Sequence, residues 1–520
     1  MAWLHTWAGL LAGWVLFFVF LTGTFGYLNS EIDRWMRPEL PLASPPPPAS
    51  SLLPVAERYL ARAAAEAGEW YIQLPGQRGV PDLTVNWEEP PRNGEDNGAY
   101  RSKTLDALTG EPFERKVRET AGGGSLYYMH YTLHYLPYDW ATRIVGISAM
   151  FMLVAILSGI VTHKKIFKDF FTFRPGKGQR SWLDGHNLLS ITALPFHLMI
   201  TWTGLVFYMF SYMPVAADVL YPQGNAEDSV YAVVRGDDVG SVAKSGRLAP
   251  LIPIAPLLAE ADREWGAGKV RQVVVEQPGR ANARITISPY AISDHSGTTA
   301  GMLRFDGVTG ERLPNARVTA PGRFNSLLLT LHEGLFANGM LRLLFVTAGL
   351  AGTAMIGTGL VLWSAKRKAK LSQAHSSPFG VAAVDVLNIG TIVGLPIGIA
   401  AYFWANRLIP VSIDRRGEWE IHAMFIAWAT MFLYAIWRRQ DRAWIELARL
   451  AAAAWGLLPL VNAFTTDRHL GVTGRAGDWA LAGIDLAMLT AGLFFAFMAK
   501  RLERKLAAGM QKPQPRLVDA

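Results

Sequence analysis

Eleven histidines and no cysteines define the ligand chemistry open to this 520-residue chain. Without a thiolate, disulfides, cysteine-ligated iron–sulfur clusters and thiolate-ligated haem are excluded. Imidazole remains as a ligand for transition metals, and two imidazoles can hold a haem iron from opposite faces of the ring. The positions of the histidines therefore indicate what the chain can bind.

The elements that must position these histidines are apolar helices. Apolar residues make up 51% of the chain, and runs long enough to cross a bilayer occur at about eight places. The first run lacks the charged start and the small-residue cleavage site of a signal peptide, so we expect a retained helix. The runs are 5–28, 141–162, 184–212, 341–363, 383–405, 419–437, 447–464 and 479–499. The sequence thus predicts an α-helical integral membrane protein in a lipid bilayer, with about eight transmembrane helices.

Basic clusters follow every second span and indicate the orientation. The positive-inside rule places these clusters and both termini in the cytoplasm, and segments 29–140 and 213–340 outside. The net charge of +8 is accordingly interpreted as a topology signal, and no nucleic-acid partner is expected. The clusters are Lys164-Lys165 through Arg180, Lys366-Arg367-Lys368, Arg438-Arg439 with Arg442, and Lys500-Arg501.

An internal repeat organises roughly the first 370 residues. His5 and His186 each precede a Thr-Gly pair by 17 residues, at Thr22-Gly23 and Thr203-Gly204. Thr-Leu-His recurs at His134 and His332, and a small-Gly pair recurs at Ser158-Gly159 and Thr358-Gly359. The unit is helix, external segment, helix, used twice, and the last four spans lie outside it.

Each external segment is predicted to be α+β. The first opens with a polyproline spacer after Ser44, then helix 55–67 and strands 70–74 and 83–87. The second has helix 256–265 and strands 270–275 and 284–288. In both, an Asp-x-x-Thr-Gly-Glu turn starting at Asp106 or Asp306 closes a hairpin, with Gly supplying the positive φ.

Depth sorts the histidines into two levels. At about 1.5 Å per residue, His5 and His186 lie roughly 25 Å inward of their Thr-Gly pairs, and His163 reaches the same inner level. His197 follows His186 by 11 residues, so a continuous helix would place it on the same side and roughly 16 Å further out. His130, His134 and His332 precede their spans on the outer side, in short surface helices that turn at Pro137 and Gly339.

The two levels predict two b-type haems in series, one in each leaflet. His186 would pair with His5 or His163 inside, and His197 with His134 or His332 outside. An ionisable residue within an apolar span, such as His197, is a functional candidate by default. His295, His375, His422 and His469 are interpreted as surface or packing residues, although His422 begins a span.

The motifs together resemble the PepSY-associated transmembrane family, also called iron-regulated membrane proteins, over about residues 1–370. The segments that carry the resemblance are Leu4-His5-Thr6-Trp7-Ala8-Gly9, Ser158-Gly159 to Phe173-Arg174-Pro175, Trp182 to Asn187, Leu194-Pro195-Phe196-His197 and Leu331-His332-Glu333-Gly334. The resemblance implies a bacterial inner-membrane protein with two periplasmic PepSY-like domains. The organisation expected is transmembrane helix 1 at 1–30, PepSY-like domain 1 at 44–120, a surface helix and helix 2 at 125–163, helix 3 at 183–213, PepSY-like domain 2 at 248–320, a surface helix and helix 4 at 325–365, and a four-helix extension at 380–505.

Some members of this family look like siderophore reductases, so the resemblance implies electron transfer through two haems to a periplasmic ferric siderophore. The electron donor would be cytoplasmic or a quinol. Two other functions stay open: a non-redox membrane module that binds peptide or siderophore, and a haem transporter.

Overall fold

The computed structural model describes residues 1–75, 80, 82–89, 99–162, 179–209, 219, 245–289, 301–314, 320–371 and 379–510. The chain divides into two compact units, which we call the membrane unit and the sheet unit. The membrane unit comprises Met1–Pro38, Val117–Leu205 and Met340–Ala520, and the sheet unit comprises Glu39–Lys116 and Val206–Gly339.

The described residues of the sheet unit form one antiparallel sheet of seven strands in the order β3-β2-β1-β4-β5-β6-β7. The strands are β1 Glu69–Gln73, β2 Leu83–Glu88, β3 Tyr100–Leu105, β4 Val270–Glu276, β5 Arg284–Pro289, β6 Leu303–Asp306 and β7 Arg312–Leu313. The first helices are α1 Ala2–Gly26, α2 Asn29–Met36, α3 Ala49–Ala63, α4 Gly122–Thr132, α5 Tyr138–Thr162, α6 Gln179–Thr192, α7 Leu194–Phe207, α8 Leu258–Trp265 and α9 Ala320–Glu333. Of these, α3, α8 and α9 belong to the sheet unit.

The two α+β segments, expected as separate domains, share this one sheet. Strand β1 from the first segment pairs with β4 from the second, with Ile72 opposite Val273. Because the equivalent strands of the two repeats pair antiparallel, both segments bury their apolar faces in one core, which includes Leu53, Trp70 and Ile285. Each segment alone would leave an unpaired strand edge, and joining the edges removes that liability.

The two Asp-x-x-Thr-Gly-Glu turns have the same geometry, as the repeat predicts. The Oδ1 of Asp106 accepts hydrogen bonds from the backbone N–H of Leu108 and Thr109, at 2.9 and 2.7 Å. The Oδ1 of Asp306 accepts the equivalent bonds from Val308 and Thr309, both at 2.8 Å. The glycine of each turn has positive φ, 75° and 77°, which glycine adopts without steric cost.

The membrane unit is mostly helical. Its remaining helices are α10 Gly339–Leu371, α11 Phe379–Ile389, α12 Leu395–Leu408, α13 Arg416–Trp437, α14 Gln440–Gly456, α15 Leu458–Thr465, α16 Leu470–Arg475 and α17 Trp479–Met510. Among the described residues, seven helices are long and apolar enough to span a membrane, and a bent pair raises the number to eight if it forms one span. The chain is therefore a membrane protein with close to the predicted number of spans.

The bent pair corrects one sequence expectation. The third span was treated as one continuous helix, but α6 and α7 meet at an angle of 69° after Thr192. Pro195 at the start of α7 explains the break, because proline lacks an N–H and its ring clashes with the preceding turn. The equivalent helix α1 has no proline and is unbroken.

Glycines let α10 approach α1 closely. A Cβ on Gly349 would lie 2.4 Å from the hydroxyl of Thr24, and one on Gly352 would lie 2.7 Å from the ring of Phe20. On α1, a Cβ on Gly13 would lie 2.7 Å from Leu360. Small residues at such interfaces are how membrane helices pack without a hydrophobic driving force.

The C-terminal helices are fastened to the repeat region by buried polar contacts. The indole of Trp35 donates to Asp485 at 2.9 Å, and the guanidinium of Arg407 lies 3.7 Å from the ring centroid of Trp35. At the start of α13, Arg416 and Glu420 form an ion pair with both side chains fully buried. Glu420 also accepts from the Thr120 hydroxyl at 2.6 Å, so this carboxylate anchors the segment before α4.

We predict that Arg416→Ala destabilises the membrane unit by about 3–5 kcal/mol, because it leaves the Glu420 charge buried without its cation. The matched control is Arg415→Ala. Arg415 pairs with Glu418 at the surface, and exposed pairs contribute roughly 0–1 kcal/mol. Unfolding of the solubilised protein, followed by helical circular dichroism during denaturant titration, measures both variants. Equal losses would contradict the assignment of a buried anchor.

The second prediction concerns Glu57 on α3, whose carboxylate accepts from the backbone N–H of Ile254 at 3.2 Å. Burial raises the pKa of Glu57 from 4.5 to about 7. A raised carboxyl pKa means that the folded state holds the proton more tightly, so this stability is full below pH 4.5 and is lost as pH rises toward 7. Hydrogen exchange of the sheet amides, corrected for intrinsic rates, should therefore show falling protection over that range.

Glu57→Gln should flatten this pH dependence, because an amide does not titrate. Glu66→Gln on the exposed surface is the control and should keep the wild-type slope. A wild-type slope in Glu57→Gln would show that another group is responsible.

Candidate haem site

Two histidines from equivalent helices of the repeat face each other in the membrane unit. His5 lies in the first turns of α1 and His186 in the middle of α6, and their ring centroids are 6.2 Å apart with an interplanar angle of 73°. Metal–nitrogen bonds of roughly 2 Å on both sides of an iron, plus about 1 Å from nitrogen to ring centre, place axial imidazole centroids roughly 6 Å apart. The observed separation fits that arrangement.

Each ring is held by the same contact to a neighbouring helix. The Nδ1–H of His5 donates to the carbonyl oxygen of Ala155 at 2.8 Å, and the Nδ1–H of His186 donates to that of Met355 at 2.9 Å. Because a carbonyl can only accept, Nδ1 carries the proton and Nε2 keeps its lone pair. Such a bond fixes the tautomer and the orientation of a metal-ligating histidine.

A glycine one turn further along the helix makes room for each ring. A Cβ built on Gly159 would lie 3.2 Å from Cε1 of His5, and one built on Gly359 would lie 3.2 Å from Cε1 of His186. These glycines belong to the Ser158-Gly159 and Thr358-Gly359 pairs of the repeat. The small-Gly pairs therefore act as cradles for the imidazoles.

Both histidines line a cavity of about 1090 Å³. This volume is at the upper end of the range for ligand sites. Its walls are largely apolar, and Leu10, Met152 and Ile356 contribute to them. A large flat apolar ligand such as a porphyrin fits this lining.

The cavity lining also contains cations and an indole N–H donor. Arg180, Lys366 and Arg367 contribute to the lining, and the guanidinium of Arg367 lies 4.0 Å from the ring centroid of Trp363. The indole N–H of Trp363 is buried and has no hydrogen-bond partner among the described residues. Cations and an N–H donor suit the carboxylates of haem propionates.

The available side-chain ligands favour a metal whose other ligands belong to a bound ring, as those of haem iron do. The described parts of the chain contain no group of three or more His, Asp and Glu side chains placed to hold a bare metal ion. Two imidazoles alone do not complete a tetrahedral or octahedral site, whereas a haem iron needs only the two axial ligands. The residues present therefore fit a bis-histidine haem.

His197 lies in the same cavity. Its side chain is fully buried, its Nδ1 has no partner in the described structure, and its Nε2 lies 3.4 Å from the carbonyl oxygen of Ala348. The 69° bend at Thr192 makes the straight-helix depth of roughly 16 Å wrong for this residue. A buried imidazole with one unused nitrogen and one long contact remains a candidate ligand or a hydrogen-bond donor to a ligand.

His130 on α4 repeats the contact of the inner pair. Its Nδ1–H donates to the carbonyl oxygen of Val19 at 2.8 Å, and a Cβ on Gly23, one turn on, would lie 2.6 Å from that nitrogen. Burial lowers the pKa of His130. In the sequence, this cradle is the Thr22-Gly23 pair. Only the likeness of this pair to Ser158-Gly159, whose glycine lies beside His5, could have favoured His130 over His134.

His134 lies in a different environment. Its ring stacks on Phe425 of α13, with centroids 5.7 Å apart, and contacts Tyr135 at 4.5 Å. Burial and the neighbouring His422 lower the pKa of His134. His422, interpreted from the sequence as a packing residue, thus shares a cluster with a predicted ligand.

The remaining five histidines either do not line the cavity of the inner pair or fall outside the described residues. His332 belongs to the sheet unit, where its ring lies 5.1 Å from that of Phe207. His469 caps α16, with its Nδ1 accepting from the N–H of Gly471 at 3.2 Å. His163, His295 and His375 lie outside the described residues.

Comparison with known families adds one match. A family model described as the PepSY-associated TM region matches residues 2–366. This range contains the whole repeat and every histidine discussed above except His375, His422 and His469. No curated protein matches the chain.

Proposed function

The chain belongs to the PepSY-associated transmembrane family, and we propose that it is a haem-dependent oxidoreductase that carries electrons across a membrane to a ferric siderophore. The observation that carries the proposal is the facing pair His5 and His186, each held by a backbone carbonyl beside a glycine. Nothing in a lipid anchor or a simple binding module requires two opposed, pre-oriented imidazoles. A bis-histidine haem requires them.

The protein residues bind and tune the haem. His5 and His186 would hold the haem through Nε2, and their Nδ1–H bonds to backbone carbonyls would raise the basicity of those nitrogens. Arg180, Lys366, Arg367 and the indole of Trp363 would hold the propionate carboxylates. When bound, haem supplies a one-electron carrier that cycles between Fe(III) and Fe(II).

A second haem would lie at the other level of the membrane, which gives two b-type haems in all. His130 is the strongest candidate for one of its ligands, because it repeats the contact of the inner pair. His197 and His134 are the candidates for the opposite ligand within the membrane unit, and His332, in the sheet unit, stays a prediction from the sequence. His163 remains a predicted alternative to His5 from the sequence alone.

We infer the cellular location from the expected topology and the substrate from the family. Basic clusters after alternate spans would place both termini in the cytoplasm of a bacterium, and the sheet unit, with its two PepSY-like halves, in the periplasm. The electron donor would be cytoplasmic or a quinol. Reduction of the siderophore iron to Fe(II) would release it, because hard oxygen ligands bind Fe(II) more weakly than Fe(III).

The size of the sheet unit favours a second candidate function. Seven strands around one core could bind a peptide or siderophore without redox chemistry, with the helices as an anchor or a passage. A haem transporter is a related alternative, in which the histidines bind haem transiently. Haem that stays bound through purification in stoichiometric amount separates the proposed oxidoreductase from both.

We predict that the purified protein shows a reduced-minus-oxidised spectrum of b-type haem, with about two haems per chain. His186→Ala should remove roughly half of this haem, because one of two sites loses an axial ligand. His469→Ala, at a helix cap outside the matched region, is the matched control and should keep full haem content. A haem-free wild-type protein from haem-replete cells would refute the proposal.

Gly359→Ala tests the cradle independently of the ligand itself. The added Cβ lies 3.2 Å from Cε1 of His186 and displaces the imidazole, so haem content and the wavelength of the reduced α-band should both change. Gly483→Ala on α17 is the control, because nothing lies within 4 Å of its added Cβ. Alanine is favoured over glycine in a helix by about 0.5–1 kcal/mol, so neither change should unfold the protein. Identical spectra for the two variants would contradict the cradle.

A further inference from the structure

A cluster of aromatic rings and imidazoles lies at the start of two span-length helices, outside the cavity of the inner pair. It consists of His134 and Tyr135, just before α5, and Trp419, His422 and Phe425 on α13. The C-terminal helices supply three of these five residues, and the family match does not include them. Apart from His134, which is also a candidate ligand of the second haem, the cluster therefore consists of residues that the proposed haem sites do not use.

The rings form two nearly parallel stacks. Tyr135 lies on His422 with centroids 5.9 Å apart and an interplanar angle of 17°, and His134 lies on Phe425 at 5.7 Å and 20°. Trp419 stands perpendicular to His422 at 5.5 Å. Tyr135 and Trp419 are each more than half exposed, at 54% and 53%, so a further flat ring has access to the stacks.

Hydrogen-bonding atoms lie at the edges of these rings. The hydroxyl of Tyr135 and Nδ1 of His422 share a hydrogen bond of 2.5 Å. Neither ring nitrogen of His134 has a hydrogen-bond partner among the described residues, although the ring is partly buried. A half-buried imidazole without partners is a polar group that a ligand can satisfy.

The backbone at this point is strained. Leu133 and His134 both have positive φ, 50° and 54°, without being glycine. Consecutive left-handed residues of this kind are costly and occur preferentially at functional sites. Here they end α4 and turn His134 and Tyr135 toward α13.

An apolar stripe runs along α13 away from the cluster. Ile426, one turn after His422, is 63% exposed, and Leu433, two turns further, is 65% exposed. These residues follow the cluster into the span, where the surrounding solvent is lipid. The whole surface thus offers stacking rings and neutral hydrogen-bonding groups at one end, and an apolar track at the other.

We propose that the cluster of His134, Tyr135, Trp419, His422 and Phe425 binds the headgroup of a membrane quinone or quinol. The flat ring of such a ligand stacks on the aromatic side chains, its two ring oxygens bond to the imidazole nitrogens and the Tyr135 hydroxyl, and its isoprenoid tail follows Ile426 and Leu433. The five side chains are rings without a fixed charge, which disfavours an anionic lipid headgroup. This inference names a donor class for the proposed function but does not require haem to be present.

The cluster is close to a proposed haem ligand along the chain. His134 follows His130 by four residues, so their Cα atoms are at most roughly 14 Å apart even in an extended chain. A quinol bound at the cluster is therefore near the outer haem level. The C-terminal helices, which the repeat does not explain, would then complete the site of the electron donor.

The test uses full-length protein in nanodiscs and a photoreactive azidoquinone with a decyl tail. Light should attach the probe to peptides that contain Tyr135 and Trp419–Phe425, and unlabelled decylubiquinone should compete. Decylbenzene, with the same tail and no ring oxygens, should not compete. Labelling confined to other peptides, or equal competition by decylbenzene, would overturn the proposal.

His422→Asn and Tyr135→Phe separate binding from folding. Loss of one stacked ring or one hydrogen bond should weaken decylubiquinone binding about 5- to 10-fold, since each such contact contributes about 1 kcal/mol. His469→Asn is the matched control, because asparagine can also cap α16, and it should bind like wild type. Wild-type affinity in both cluster variants would also overturn the proposal.

The measurement is independent of the haem content. Quinone binding to protein that lacks haem would leave this inference standing while the proposed function fails. A normal haem spectrum without saturable quinone binding would overturn this inference and leave the proposed function standing. Elution volume and circular dichroism of each variant show whether it is folded.

Discussion

The hydrogen bond between a histidine Nδ1–H and a backbone carbonyl one turn before a glycine is the contact on which the site depends. Among the described residues of the membrane unit it occurs three times, at His5, His186 and His130. The glycine allows the imidazole to approach the helix, and the carbonyl selects the tautomer, so that Nε2 of His5 and of His186 keeps its lone pair. The matching contacts of His5 and His186, which occupy equivalent positions of the repeat, show that its two halves share a geometry as well as a sequence pattern.

The sequence predicted the inner pair because the repeat aligned His5 with His186 before any geometry was known. It could not show that the small-Gly pairs face these histidines, because that contact joins helices more than 150 residues apart along the chain. The Thr-Leu-His pattern repeats at His134, whereas His130 becomes a stronger candidate only through its contact with the carbonyl of Val19. A local sequence pattern identifies residues that could be ligands, and only tertiary contacts distinguish between neighbouring candidates.

Two other expectations failed for physical reasons that the sequence contains. Pro195 breaks the third span, so distances counted along a straight helix do not apply to His197. The exposed edge of β1 needs a partner, and β4 of the other repeat supplies it, so two expected domains form one sheet. In both cases backbone hydrogen bonding decided the structure. Proline cannot donate a hydrogen bond within a helix, and an edge strand exposes unpaired N–H and C=O groups, and neither effect is visible in the pattern of apolar residues. The buried contacts of α12, α13 and α17 with α2 and the segment before α4 had no signal in the sequence beyond isolated charges in apolar runs.

We infer that His5 and His186 hold one and the same haem, and a double-substitution cycle tests this inference. The haem content and the low-spin haem signal would be measured for His5→Ala, His186→Ala and the double variant. We expect each single variant to lose the same spectral component and the double variant to lose no more than either. Loss of different components in the two single variants, with their sum lost in the double variant, would contradict a shared site.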